Sequence, residues 1–226
     1  MQHCFDVIAR IHTDFPTKFG IPRQSGLVEE LKAEIVMEPA YRDPAAVRGL
    51  EGFSHIWLIW NFSESEREGW SAAVTPPRLG GKKKMGVFAT RSPFRPNPIG
   101  LSCVRLDEIL FDHRGTVLRV SGADLMDGTP IYDIKPYLPI SDCHPNAKAG
   151  FAENTAGDRL QVVFPEELAA MIPEDRLDGL IAALRGDPRP GYQNDPTREY
   201  GFNFMHFDVR FRVADDVLTV TEIEVL

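Results

Sequence analysis

HIWLIWNF, residues 55–62, is the stretch whose reading decides the fold. It is a continuous apolar and aromatic run, the pattern of a strand buried on both faces. Working outward, further short strands are expected at 85–89, 100–109, 117–120 and 131–134, split by glycine and proline clusters. Upstream, Phe5, Val7, Ala9 and Ile11 alternate with polar or small residues, and AEIVME at 33–38 gives a second short strand. Asp43-Pro44 is a helix-start signal, a carboxylate cap before proline at the first helical position, so 44–48 is expected to form a turn or two of helix. Many short strands without long helices between them point to a mainly β fold, either a barrel or a sandwich.

Beyond about Pro145 the composition changes. Residues 146–158 are small and polar, as in a linker, whereas 166–171 and 174–184 carry helical spacing, with Leu177, Leu180, Ile181 and Leu184 on one face. GDPRPG at 186–191 stops that helix. Two alternating runs, 203–213 and 218–225, meet at Asp215-Asp216 and predict a hairpin. The chain therefore divides into residues 1–145 and a smaller α+β C-terminal lobe, 146–226, which either packs back on the first part or stands apart.

At 226 residues there is room for one full core and a smaller appendage. No apolar run is long enough to cross a bilayer, and Met1 leads into mixed polar sequence, so no membrane partner is expected. Cys4, Cys103 and Cys143 cannot all pair within one chain and none lies in a CxxC spacing, which fits a reducing cytoplasm without structural metal. The net charge of −8 opposes a polyanionic partner. Its distribution does not: from residue 76 to 105 there are Arg78, Lys82, Lys83, Lys84, Arg91, Arg95 and Arg105 and no acid, which reads either as a solvated loop tip or as a positive patch. The GxGxxG, GxxxxGK[ST], HExxH and GxSxG patterns are absent, so any enzymatic chemistry must come from a less common scaffold.

Four segments concentrate unusual residues. TRSPFRPNPIGLS, 90–102, holds Arg91, Arg95 and Asn97 on a stiff proline-rich backbone suited to anions and planar rings, or to salt bridges with the protein's own surface. SGADLMDGTPIYDIKPYLP, 121–139, gathers Asp124, Asp127, Asp133, Lys135 and Tyr137, carboxylates that either take part in proton transfer or simply serve turns. KFGIPRQSGL, 18–27, couples Arg23 to a turn, and RGLEGFSHIW, 48–57, brings His55 to the mouth of the aromatic strand as either a base or a satisfied core residue. Cys143-His144 lacks a visible third partner for nucleophilic catalysis.

In order, PTKFGIPRQSGL, VRGLEGFSHIWL, PPRLGGKKKMGVFATRSPFRPNPIGLS and DLMDGTPIYDIKPYLP resemble the successive signature blocks of the TrmO (YaeB, TsaA-like) family, and GDPRPGY at 186–192 resembles a block of its C-terminal lobe. The resemblance covers most of 5–142 and returns around 186–212. It implies a small antiparallel β-barrel over residues 1–145 that binds S-adenosyl-L-methionine (SAM) without a Rossmann sheet or a metal, works as a homodimer, and methylates N6 of threonylcarbamoyladenosine beside a tRNA anticodon. By position, the resemblance assigns SAM binding to Ser25, Gly26, Leu27, Ser63, Glu64, Arg91, Leu101, Ser121, Gly122, Ala123 and Asp124. Ser63-Glu64 stands where some members have His-Gln, and Ser25 where proline is frequent; backbone contacts are compatible with both changes. For proton transfer the candidates are Asp133 and Tyr137. Arg23, Arg95, Asn97 and Lys135 are candidates for the tRNA anticodon loop, Arg95 or Lys135 facing the threonyl carboxylate and Arg23, Arg78 and Lys82–Lys84 the phosphates. Two other readings stand beside this one: a SAM-dependent enzyme with another acceptor, and a non-catalytic SAM- or RNA-binding module.

Overall fold

The computed structural model describes residues 4–65, 69–76, 83–152, 159–189 and 195–226. In chain order the strands of the first part are β1 (Ala9–His12), β2 (Lys32–Met37), β3 (His55–Asn61), β4 (Ala73–Val74), β5 (Met85–Gly86), β6 (Ile99–Asp112), β7 (Gly115–Ser121) and β8 (Pro130–Pro136). Six of them close an antiparallel barrel in the order β1-β2-β7-β6-β3-β8, with β8 returning to β1. Closure answers the barrel-or-sandwich alternative. Its interior is filled by alternate residues, among them Ile11, Ile35, Ile56, Leu58, Trp60, Val104, Val120 and Ile131. Asp43 caps the expected turn, a 3-10 helix at Pro44–Val47, by accepting from Ala45 N at 2.9 Å.

The period of β3 differs from the expectation of two buried faces. Ile56, Leu58 and Trp60 point into the core, whereas His55, Trp57, Ile59 and Asn61 are half-buried on the outer face. Later chain meets this face at Trp57, whose Nε1 donates to Asp142 Oδ2 at 2.8 Å from α1 (Pro139–Asp142). The strand expected over 85–89 is shorter, since Val87–Ala89 closes into a 3-10 turn after β5.

The C-terminal lobe has β9 (Gln161–Val163), α2 (Glu166–Ala169), α3 (Glu174–Arg185), β10 (Tyr200–Phe204), β11 (Phe207–Ala214) and β12 (Val217–Val225), with the sheet in the order β10-β11-β12-β9. The predicted hairpin forms, Asp215 and Asp216 taking φ of 48° and 61° as a left-handed two-residue turn requires. The run at 203–213 is two strands, broken where Met205 takes φ 55°. Leu180 and Leu184 of α3 are fully buried against Phe202, Phe204, Phe211 and Leu218. Phe15, Val28 and Leu31 from the loop between β1 and β2 enter this same core. Arg176 pairs with Asp14 at 3.4 Å, and Met205 N donates to Asp14 O at 2.6 Å. The lobe thus packs back on the barrel by gripping the loop that carries residues 18–27.

Candidate active site

β6 starts at Ile99, but its pairing with β7 begins only at Arg105, opposite Ser121. Residues 99–103 consequently present an edge whose N–H groups need acceptors. Ser25 supplies one: Cys103 N donates to Ser25 Oγ at 3.0 Å. The same turn is fixed again where Gly26 N donates to Gly122 O at 2.9 Å, and Gly122 N donates to Leu31 O at 2.9 Å. Gly26 and Gly122 have φ of 75° and 79°, and a Cβ on Gly122 would lie 3.4 Å from the Gly26 backbone. Glycine suits both positions because each φ lies in the left-handed region that other residues rarely adopt.

Asp124 lies beside this contact. Its half-buried carboxylate accepts from Ser102 Oγ at 2.5 Å. Burial pushes its pKa above the usual carboxylate value, opposed by the Ser102 hydroxyl, by backbone N–H groups including that of Ser25, and by the Arg91 guanidinium. Arg91 donates to the side chain of Gln24. Leu27 and Leu101 leave 54% and 48% of their surface exposed beside these polar groups. Residues 25–27, 91, 101 and 122–124, distant in sequence, are therefore gathered at one edge of the barrel. Ser121 and Ala123 contribute differently, Ser121 Oγ bonding Lys32 Nζ at 2.7 Å and the Asp107 carboxylate, and Ala123 packing into the core. Ser63 and Glu64 form a 3-10 turn at the end of β3, next to the start of the same edge through Phe62 N to Pro98 O at 3.0 Å. Lys18 Nζ holds that turn, bonding the Glu64 carbonyl and Ser65 Oγ.

Strand register carries the site across the outer face. Leu101 pairs with Ile59, which pairs with Asp133, and Cys103 pairs with Trp57, which pairs with Lys135. Lys135 Nζ is 2.8 Å from Asp133 Oδ2. Tyr137 packs against Trp57 and His55, with ring centroids 5.8 Å and 6.1 Å apart. Partial burial raises the Tyr137 phenol above its usual pKa, helped by Cys143. Arg95 is half-buried and its guanidinium donates to Thr90 O and Ser92 O, so it braces its own loop, while Asn97 is exposed. Arg23 donates to Asp187 O and Arg189 O at 3.1 Å and 2.8 Å, which ties the 18–27 segment to the C-terminal lobe. Arg78, Lys82 and the end of the 186–192 block lie outside the described residues. Sequence reading passed over Gln24 and Ser102; the signal for Ser102 was a hydroxyl at an inward strand position, which has to find a buried partner.

The chain matches the tRNA-methyltransferase O N-terminal domain over residues 10–143 and the TrmO C-terminal domain over 157–226. It belongs to the TrmO family. A tRNA (adenine(37)-N6)-methyltransferase of Escherichia coli is 40% identical over 228 residues, covering 97% of each chain. A protein of Pyrococcus abyssi named "Probable S-adenosyl-L-methionine-binding protein" is 37% identical over 150 residues, 66% of this chain and 76% of its own. The crystal structure of TrmO from Pseudomonas aeruginosa superposes with a TM-score of 0.79 at 31% identity, covering 99% of this chain and 100% of that one. In this TrmO-family chain the Ser25 side chain accepts the Cys103 N–H. Among the described residues no group of three His, Cys, Asp or Glu side chains is placed to hold a metal, and no helix is long and apolar enough to cross a membrane.

Proposed function

We propose that this chain transfers a methyl group from SAM to N6 of adenosine 37 in tRNA, with the threonylcarbamoylated adenosine as its acceptor. The observation that carries the reading is the gathering of residues 25–27, 91, 101 and 122–124 at one barrel edge in a TrmO-family chain. These residues fit SAM chemically. The Asp124 carboxylate suits a cationic ligand, the Gly26–Gly122 contact exposes backbone at close range, and Leu27 and Leu101 offer apolar surface. Bound there, SAM supplies a methyl group already activated by its sulfonium.

An adenine N6 that carries a carbamoyl group is a poor nucleophile while it keeps its proton. Asp133, on the same outward face of β8, serves as the acceptor for that proton. Tyr137, whose pKa burial pushes further above neutral, is a phenol and serves as a hydrogen-bond donor. Lys135 supplies positive charge for the threonyl carboxylate, and Lys83 and Lys84 supply it for phosphates. The same reading makes the protein a cytoplasmic homodimer. Its three cysteines are free, and Leu138 and Ile140 expose apolar surface beside Tyr137. Methyl transfer from labelled SAM to tRNA whose adenosine 37 is replaced by guanosine should fall to background. Undiminished label on that tRNA would place the reaction elsewhere.

A further inference from the structure

Trp70 and Phe88 stand out on the surface near the site: their rings are near-parallel, with centroids 6.2 Å apart and an interplanar angle of 23°, yet 51% and 73% of their surface is exposed. An aromatic pair normally forms to remove apolar surface from water, and this one leaves most of it wet. The pair is also rigidly mounted. Ser71 N donates to Phe94 O at 3.1 Å, Val87 N donates to Ala72 O at 3.0 Å, and β4 pairs with β5 between them. Beside it lies a cleft of about 330 Å³ lined by Trp70, Phe94, Arg95 and the prolines 93, 96 and 98. That volume is at the small end of ligand clefts. From residue 69 to 105 the sequence contains no Asp or Glu, and Arg91, which reaches the SAM cluster, belongs to the same loop as Phe88 and Arg95.

Exposed aromatics on a rigid, cationic loop match one occupant by charge and shape: an unstacked nucleobase with its phosphate. We infer that Trp70 and Phe88 form a base-stacking platform that receives a nucleotide of the anticodon loop flanking the methylated adenosine, with Arg95 and the cleft beside it taking the sugar-phosphate. This deepens the proposed function and rests on its tRNA substrate. Stacking on an aromatic face is indifferent to which base is present, so the platform holds the loop open without selecting sequence.

The test uses the full chain and synthetic anticodon stem-loops, reading binding so that no turnover is required. Tryptophan fluorescence should be quenched on adding the stem-loop to wild type, and Trp70→Phe should bind nearly as tightly while losing that quench. Trp70→Leu and, separately, Phe88→Leu should weaken stem-loop binding about 5- to 100-fold, the range that base–aromatic stacking gives, with SAM affinity unmoved. Replacing one loop nucleotide next to adenosine 37 by an abasic residue should weaken wild type by a similar factor and add little to Trp70→Leu. The inference is overturned if both leucine variants bind the stem-loop as tightly as wild type. It is equally overturned if they bind as tightly but lose self-association, since a second copy would then be what covers the pair. A failure of methyl transfer to adenosine 37 would instead strike the proposed function, and leaves the binding result readable.

Discussion

In the proposed site, Asp124 is a carboxyl group that burial and its neighbours pull in opposite directions. Its folded pKa is raised by burial above the usual 3.8, so the folded state binds a proton more readily than the unfolded chain. The sign of the linkage follows: stability falls as pH rises through the interval between the unfolded and folded values, and above it the ionised form burdens the fold. Asp124→Asn keeps the shape and an acceptor for Ser102, so its melting temperature at pH 7 should equal or exceed that of wild type, with the difference closing as pH is lowered toward 4. Calorimetry on the same variant should show SAM bound at least about tenfold more weakly, one lost charge contact. A melting temperature below wild type at every pH would remove the burden argument. Asp133→Asn makes the complementary case: kcat should drop about 10²- to 10⁴-fold with SAM affinity intact, the range for losing a general base, and a drop under about tenfold would assign the proton elsewhere. At this scale the sequence pointed at residues but not at their partners. Ser25 read only as a departure from a frequent proline, and its bond to Cys103 N depends on where β7 stops pairing with β6.

In the proposed site the turn and strand meet at Gly26 and Gly122, where Gly26 N donates to Gly122 O at 2.9 Å. Gly122→Ala would put a Cβ at 3.4 Å from the Gly26 backbone while keeping φ near 79°. The left-handed conformation alone costs a non-glycine residue about 1–2 kcal/mol, and urea unfolding should show a loss of that order together with weaker SAM binding. Unchanged stability and unchanged SAM affinity would mean that the two backbones need not approach so closely. Elements with strong periodicity were legible in advance: β2, β6 and α3 fall close to their expected spans. Those that depend on distant chain were not. β3 reads as doubly buried although its outer residues are only half-buried, and the partner of Trp57, Asp142 of α1, lies more than 75 residues away. β9 is a three-residue parallel strand, too short to show any period. The break at Met205 carries no glycine or proline signal; the chain turns there in left-handed geometry where Met205 N reaches Asp14 O.

For the whole molecule, alternation of apolar residues is the same in a barrel and a sandwich, and the choice is made by the pairing of β8 with β1 across more than 115 residues. Sequence composition likewise suggested a C-terminal lobe without showing that Phe15, Val28 and Leu31 lie in its core. The lobe also grips both sides of the 18–27 segment, through Arg176 to Asp14 and through Arg23 to residues 187 and 189. The net charge of −8 is reconciled with a tRNA substrate by its distribution along the chain, the acid-free stretch from 69 to 105 carrying Lys83, Lys84, Arg91 and Arg95. The central claim is methyl transfer from SAM to the threonylcarbamoylated adenosine, and the most direct test is an assay with labelled SAM on tRNA purified from cells with and without that modification. Label confined to the modified pool, with mass spectrometry placing it on that nucleoside, is the result expected here. Label in neither pool from protein shown to bind SAM, or equal label in both, would contradict it.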